Sequence, residues 1–246
     1  MTVKAIIFDA YGTLFDVYSI SALANRLFPG KGDALAELWR DKQIQYSQLR
    51  TLCSTYKPFW EVTQDALVFS CRKLGLDLNL EAQNMMMGQY AKLQPFPENL
   101  AVLRGLKTAG MKLAILSNGN QDMLAAAVGN AGMEDLFSHV ISVDTVKKFK
   151  TAPEAYQLGT DLLNAAARDI VFVSSNGWDV CGAGWFGYRT FWVNRAGAPM
   201  EELGVTPHGQ GRLLSDLPPF IEANMTPSTP STPATPPTPP TPKRAQ

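Results

Sequence analysis

An aspartate that directly follows a short apolar run is the first feature of the sequence that could do chemistry. Residues 5–8, Ala-Ile-Ile-Phe, are typical of a strand in a parallel sheet that is covered on both faces. Asp9 comes next, and Gly12 allows the backbone to turn sharply just beyond it. Ligands bind outside the carboxyl ends of parallel strands, so Asp9 is placed to act as a nucleophile, a base or a metal ligand. The alternative is that Asp9 only caps the turn through its side chain.

Two later apolar segments also end in polar side chains. Ser117 and Asn118 follow the predicted strand 112–116, and they could hold a substrate carboxylate by hydrogen bonds. Ser117 could equally cap the helix that follows. The second segment, SSNGWD at residues 174–179, follows the predicted strand 169–173. Taken alone, it is also compatible with a simple turn and an acidic residue at the start of a helix.

A basic run precedes a predicted helix that opens with Pro153. The run contains Lys147, Lys148 and Lys150. A lysine held near Asp9 would offset repulsion between carboxylates and favour the ionised form of the nucleophile. A solvated basic surface is the alternative, and it is the better interpretation for Lys147 and Lys148.

In these segments the sequence resembles the haloacid dehalogenase superfamily. FDAYGTLFD, residues 8–16, is similar to the first motif of that superfamily, whose nucleophile is an aspartate at the end of the first strand. Most members are phosphatases or phosphotransferases, with a second aspartate two residues later that acts as general acid and helps to build a magnesium site. Tyr11 occupies that position here, and a phenol cannot replace a carboxylate among the oxygen ligands of a hard cation. Tyr11 and SSNGWD instead resemble the (S)-2-haloacid dehalogenase branch.

The resemblance implies a role for each matching residue. Asp9 is the nucleophile, and Arg40 receives the departing halide because its segment, WRDKQIQY, is similar to WRxKQxxY in a cap helix of the branch. Asp179 helps to hold a lysine and the hydrolytic water. That lysine is Lys150, although Thr151 follows it where many relatives have proline. The other implied catalytic residues are Thr13, Tyr156, Ser174 and Asn176.

The resemblance also implies a set of substrate-binding residues. Four of them would form an apolar wall around the carbon–halogen bond, namely Tyr11, Ile44, Phe59 and Trp178. Ile44 and Phe59 are equally compatible with a place in the hydrophobic core. The remaining members of the set are Ala10, Arg40, Ser117 and Asn118.

The order of predicted elements indicates an α/β fold with a Rossmann-like parallel sheet core and an all-helical cap domain inserted after the first strand. Residues 17–92 have the pattern of successive helices, and strands then alternate with helices, which is typical of a parallel sheet with crossover helices. We expect the core domain to comprise residues 1–15 and 95–224, and the cap domain residues 16–94. Residues 225–246 are rich in Pro and Thr, and we expect them to be disordered.

Composition argues against several other classes of protein. Lys plus Arg and Asp plus Glu both number 22 in the 246 residues, so there is no net charge to attract nucleic acid or an anionic membrane. No apolar run has the length of a membrane-spanning helix or the form of a signal peptide. The three cysteines lack metal-ligand spacing, which favours reduced thiols and a cytoplasmic location. We expect no metal and no cofactor, and the resemblance implies a homodimer.

Together the motifs predict hydrolytic dehalogenation of short (S)-2-haloalkanoic acids to (R)-2-hydroxyalkanoic acids and halide. Asp9 would attack C2 with inversion and become an ester that water then hydrolyses. A magnesium-dependent phosphatase and a non-catalytic binding module on the same fold are the alternatives. Tyr11 argues against the phosphatase, and the joint presence of Asp9, Arg40, Lys150 and Asp179 argues against the binding module.

Overall fold

The computed structural model describes residues 3–225. The Pro/Thr-rich segment that we expect to be disordered lies outside the described residues except for its first residue, Met225.

The core of the protein is a six-stranded parallel sheet in the order β3-β2-β1-β4-β5-β6. The first strand lies between β2 and β4, and its four residues are fully buried because helices cover both faces of the sheet. The predicted α/β fold with a Rossmann-like parallel sheet is therefore confirmed. The strands are β1 Ala5–Phe8, β2 Lys112–Ser117, β3 His139–Ser142, β4 Ile170–Ser174, β5 Arg189–Val193 and β6 Gly209–Gly211.

A group of helices separates β1 from β2 in the chain, as predicted. A short 3-10 helix, Val17–Ile20, leads into them. Trp39 joins two of these helices, because its indole N–H donates to the carbonyl of Thr63 over 2.7 Å. The helices are α1 Ser21–Leu27, α2 Gly32–Leu52, α3 Phe59–Leu74, α4 Leu80–Tyr90 and α5 Asn99–Thr108.

Four more helices alternate with the remaining strands. They are α6 Gln121–Asn130, α7 Pro153–Leu163, α8 Gly177–Phe186 and α9 Leu217–Met225. The strand order reverses between β1 and β4, so a crevice opens at the carboxyl ends of these two strands. Asp9 follows β1 and Asn176 follows β4, which places both side chains at this crevice.

The turn after β1 is closed by hydrogen bonds within the turn. The N–H groups of Leu14 and Phe15 donate to the carbonyl of Ala10, and Gly12 donates back to the carbonyl of Phe15. Gly12 has a φ of +92°, a region that side chains with a Cβ atom rarely occupy. The turn brings Thr13 back towards Asp9, so the hydrogen bonds of the turn help to place the Thr13 hydroxyl beside the Asp9 carboxylate.

Two further features concern the helices and the cysteines. No helix between residues 3 and 225 has the length and apolar character needed to cross a membrane. All three cysteines are free thiols, with Cys71 and Cys181 buried and Cys53 exposed.

Gly12→Ala should destabilise the protein by about 1 to 2 kcal/mol, because an L-residue at this positive φ is strained even though the space around it is open enough for a methyl group. The matched control is Gly105→Ala on an exposed part of α5, where no atom opposes the new methyl group. That change should raise the free energy of unfolding by about 0.5 to 1 kcal/mol. Urea denaturation measures both, and equal stability of wild type and Gly12→Ala would contradict the argument.

Candidate active site

Three side chains hold the carboxylate of Asp9, which is 5% exposed. Its Oδ2 atom accepts hydrogen bonds from Thr13 Oγ1 and Asn176 Nδ2, both at 2.9 Å, and its Oδ1 atom accepts from Lys150 Nζ at 3.0 Å. The hydroxyl of Thr13 also accepts from the backbone N–H of Ser175 at 2.8 Å, so its single proton is directed to Asp9. The carboxylate is thereby fixed in one orientation before any substrate arrives.

Lys150 is 1% exposed and lies between two carboxylates. Its ammonium group is 3.0 Å from Asp9 Oδ1 and 3.0 Å from Asp179 Oδ2, and it lies 4.8 Å from the ring centre of Phe172. Burial alone would lower the pKa of Lys150, but the charges of Asp179 and Asp9 outweigh burial and raise it. The lysine therefore stays positively charged inside the core.

Asp179 lies in the first turn of α8 and is fully buried. Besides the ammonium of Lys150 it accepts a 2.8 Å hydrogen bond from the hydroxyl of Tyr156. Burial raises the pKa of Asp179 above its ordinary value, and Lys150 opposes that rise. Burial and the charge of Asp179 also raise the pKa of Tyr156, which keeps its proton. A Cβ at Gly182 would lie 2.4 Å from the Tyr156 hydroxyl, so this contact requires glycine on α8.

Arg40 reaches from α2 to the core of the protein. One guanidinium nitrogen, Nη2, donates to the backbone carbonyl of Tyr11 at 3.0 Å and to Asn176 Oδ1 at 3.3 Å. The other, Nη1, donates to Gln43 Oε1 at 2.7 Å. Asn176 consequently donates to Asp9 through its nitrogen and accepts from Arg40 through its oxygen, so one amide links the carboxylate to the guanidinium.

Aromatic rings form the wall next to this link. The buried ring of Tyr11 lies 5.9 Å from the ring of Phe59 and 5.7 Å from that of Tyr90, measured between centroids. Burial raises the pKa of Tyr11 well above its ordinary value, so the phenol is neutral. A Cβ at Gly119 would come within 2.8 Å of the Tyr11 ring, so the chain after β2 packs directly against this wall.

A cleft of about 470 Å³ opens beside these residues. Its walls include both the inserted helices and the core, and two of the predicted apolar residues, Ile44 and Trp178, line it together with Arg40 and Asn176. Arg195 lines it from the segment after β5. The volume is in the range of pockets that take small molecules.

Four other predicted residues lie at strand ends around Asp9. Ala10 is buried in the turn described above. The hydroxyls of Ser117 and Ser174 accept hydrogen bonds from the N–H groups of Gly119 and Asn176, both at 3.1 Å. Asn118 Oδ1 accepts from the N–H of Lys150 at 2.9 Å. These contacts shape the loops. Substrate binding by Ala10, Ser117 and Asn118 and a catalytic role for Ser174 stay predictions.

Several residues that support the site were not predicted from the sequence. Asn99 and Arg195 both donate to the carbonyl of Thr13, at 3.2 and 3.3 Å, and so hold the turn that carries the Thr13 hydroxyl. Tyr90 stacks on Tyr11, and Gln43 holds Arg40. Gln43 stood inside the quoted WRDKQIQY segment, which was the available signal for it.

The donor set does not fit a magnesium ion. Tyr11 stands where a second carboxylate would be needed, and the ammonium of Lys150 lies between the two carboxylates that are present. Over residues 3–225, no group of three or more His, Cys, Asp or Glu side chains is arranged to hold a metal.

Comparison with known proteins agrees with this geometry. Residues 3–187 match the family described as haloacid dehalogenase-like hydrolase. The (S)-2-haloacid dehalogenase of Pseudomonas sp. strain YL is 46% identical over 83% of this chain and 88% of its own length. Haloacetate dehalogenase H-2 of Moraxella sp. strain B is 44% identical over 83% of this chain and 92% of its own length.

Solved structures give the same result. The L-2-haloacid dehalogenase of Xanthobacter autotrophicus, with chloropropionic acid covalently bound, has a TM-score of 0.84 at 38% identity and covers 90% of this chain and 99% of its own. The L-2-haloacid dehalogenase RSc1362 has a TM-score of 0.89 at 53% identity and covers 90% of this chain and 100% of its own. The chain therefore belongs to the haloacid dehalogenase-like hydrolase family. Within that family it stands with the (S)-2-haloacid dehalogenases.

Lys150→Met should lower the free energy of unfolding at neutral pH by about 3 to 5 kcal/mol, because it leaves two buried carboxylates without their cation. The difference in free energy of unfolding between Lys150→Met and the wild type should become smaller as the pH falls. Burial already raises the pKa of Asp179 in the folded state, so the folded variant takes up a proton there before the unfolded chain does, and protonation stabilises it.

Lys148→Met is the control, because Lys148 is an exposed lysine of the same segment that pairs with Glu154 at the surface. It should cost less than about 1 kcal/mol. Urea denaturation at several pH values makes the comparison, and equal losses for the two variants would contradict the assignment of Lys150 to a buried ion triad.

Proposed function

We propose that the chain hydrolyses short (S)-2-haloalkanoic acids to (R)-2-hydroxyalkanoic acids and halide. The observation that carries the proposal is the link made by Asn176, which joins the carboxylate of Asp9 to the guanidinium of Arg40 in the wall of the cleft. A nucleophile and a cationic acceptor for a leaving anion are thus held in one fixed arrangement. The names of the relatives described above support the same reaction.

In the first step Asp9 attacks C2 of the substrate from the side opposite the halogen. A carbon–oxygen bond forms, the carbon–halogen bond breaks, and the halide leaves with the bonding electrons towards Arg40. A guanidinium suits this purpose because it is always charged and only weakly hydrated. Attack from the back inverts C2 and leaves an ester on Asp9.

In the second step water attacks the ester carbonyl of Asp9. Thr13 and Asn176 both donate to Oδ2 and can stabilise negative charge on that oxygen in the tetrahedral intermediate. Asp179 helps to align the water, and the raised pKa of its carboxyl group makes it a stronger base than an ordinary aspartate. The intermediate collapses by breaking the bond between the acyl carbon and the C2 oxygen, which takes the proton that Asp179 removed from the water. The hydroxy acid leaves, and the new carboxyl group of Asp9 loses its proton to solvent to regenerate the carboxylate.

The same observations decide between this reaction and its alternatives. A magnesium-dependent phosphatase of this superfamily has a second carboxylate where Tyr11 stands, and it usually carries acidic residues at the strand end where Ser174 and Asn176 stand here. A binding module does not require a buried carboxylate with three hydrogen-bonded partners beside an ammonium group.

The proposal extends to the organisation and setting of the protein. Residues 16–94 act as a cap domain over a core domain of residues 1–15 and 95–224, and Arg40 is the charged side chain that the cap contributes to catalysis. The protein works in the cytoplasm as a homodimer and binds neither nucleic acid nor membrane. The balanced charge and the free thiols support the cytoplasmic setting, and the homodimer is what the family resemblance implies.

Halide release should occur with (S)-2-chloropropionate, fail with the (R) enantiomer, and be unaffected by EDTA, because inversion at a fixed site accepts one hand and the donor set does not suit magnesium. Ion chromatography measures the chloride. Hydrolysis of p-nitrophenyl phosphate with magnesium serves as the parallel assay. Magnesium-dependent phosphate release without any chloride release would overturn the proposal in favour of the phosphatase.

A single turnover in heavy-oxygen water, with enzyme in excess, should place the label on Asp9 and leave the first hydroxy acid unlabelled. The reason is that water attacks the ester carbonyl and the product keeps the original carboxylate oxygen of Asp9. Mass spectrometry of the peptide that contains Asp9 reads the label. Asp9→Asn is the control and should neither turn over nor take up label. Label in the first molecules of product would exclude the ester intermediate.

A further inference from the structure

A chain of neutral polar side chains runs through the inserted helices and ends at Arg40. Gln43 on α2 is 1% exposed, and it contacts Thr63 on α3 and Tyr90 on α4. Its amide nitrogen is 2.6 Å from the Thr63 hydroxyl, and its amide oxygen is 3.0 Å from the Tyr90 hydroxyl and 2.7 Å from Arg40 Nη1. Burying a polar group costs free energy unless the group is hydrogen-bonded. The paired groups of this hydrogen-bond network are therefore a specific feature of the interior.

The directions of these hydrogen bonds follow from one carbonyl group. Thr63 Oγ1 donates its proton to the backbone carbonyl of Phe59 at 2.7 Å, because a carbonyl can only accept. The hydroxyl must therefore accept from Gln43, which turns the NH₂ group of the amide towards Thr63. The amide oxygen then faces Arg40 and Tyr90. Thr63 thus fixes the orientation of the Gln43 amide, so that its oxygen accepts the hydrogen bond from the guanidinium of Arg40.

The partners of Arg40 leave its charge uncompensated. Its hydrogen bonds go to the Gln43 amide, the Asn176 amide and the carbonyl of Tyr11, all of which are neutral acceptors. Within residues 3–225 no carboxylate forms an ion pair with it. If a carboxylate formed a salt bridge with the guanidinium, its negative charge would cancel most of the electric field that the guanidinium exerts on an incoming anion. Neutral acceptors fix its direction and leave its attraction for an anion intact.

We propose that Gln43 is a positioning residue that aims the guanidinium of Arg40 into the cleft and, by being neutral, preserves its affinity for the departing halide. Gln43 acts through Arg40 and does not touch the reacting atoms. The inference rests on the proposed function, since it assigns the support of the group that takes the leaving halide. It predicts that Gln43 controls how strongly the rate depends on the halogen.

Gln43→Glu tests the charge directly, because it keeps the size of the side chain and adds a carboxylate next to Arg40. Bromide inhibition of the enzyme should weaken by at least about tenfold, since the guanidinium field is neutralised. The ratio of kcat for (S)-2-bromopropionate to kcat for (S)-2-chloropropionate should rise, because the poorer leaving group depends more on Arg40. A loss of packing alone would lower both rates together and would not change this ratio.

Gln45→Glu is the matched control, because Gln45 is exposed on the same helix and the charge change is identical. Its inhibition constant for bromide and its kcat ratio should stay within about twofold of wild type, since an exposed charge is screened by solvent. Gln43→Glu with an unchanged bromide constant and an unchanged ratio would overturn the inference. A wild-type protein that releases no halide would overturn the proposed function itself.

Thr63 provides a second test that adds no charge to the interior. Thr63→Val keeps the shape but removes the acceptor that orients the Gln43 amide, whereas Thr63→Ser retains it. Thr63→Val should weaken bromide inhibition several-fold and raise the bromide-to-chloride rate ratio, and Thr63→Ser should restore both. The same values for the two variants would contradict the proposed role of Gln43, even if Gln43→Glu does not fold.

Discussion

The buried ammonium of Lys150, 3.0 Å from each of two carboxylates, is the interaction on which the site depends. Placing three charges in a low-dielectric interior is expensive, and it is tolerated only where geometry and further hydrogen bonds satisfy each group. The hydroxyls of Thr13 and Tyr156 and the amide of Asn176 supply those bonds. Two carboxylates and one ammonium give the triad a net negative charge. Lys150 therefore does not fully neutralise the negative charge of Asp9.

The fold makes this triad possible by supplying its members from different strand ends. Asp9 follows the central strand β1, Asp179 begins the helix after β4, and Lys150 comes from the segment before α7. Because β1 and β4 are neighbours at the switch point of the sheet, these side chains converge without long excursions of the backbone. The inserted helices add Arg40, a second cation that lines the cleft, and the rings of Phe59 and Tyr90, which pack against Tyr11.

The parts of this arrangement that the sequence predicted are those tied to a strand end. Asp9 directly follows an apolar run, and parallel strands bring their carboxyl ends to one edge, so its place follows from periodicity and turn chemistry. Asn176 and Asp179 lie beyond the end of β4, and the family resemblance of SSNGWD implied their roles beside Asp9. The position of Lys150 could not be predicted in this way. Lys147, Lys148 and Lys150 have the same charge and lie close together in the chain, so their charge does not indicate which of them is buried.

The parts that the sequence did not predict depend on how helices pack. Gln43, Thr63 and Tyr90 belong to three separate helices, and they meet only because of the rotation of each helix about its axis. Asn99 and Arg195 hold the Thr13 turn from segments almost a hundred residues apart. A polar residue on a helix is normally solvated, so sequence alone gives no reason to expect such residues in the interior.

Asn176 has a consequence for the geometry of displacement. Its amide presents a donor to a negative group and an acceptor to a positive one from a single planar unit. It therefore acts as a rigid spacer that sets the separation of the Asp9 carboxylate and the guanidinium of Arg40. Variation in the size of the leaving atom must then be absorbed by the cleft wall, while the axis of attack stays constant.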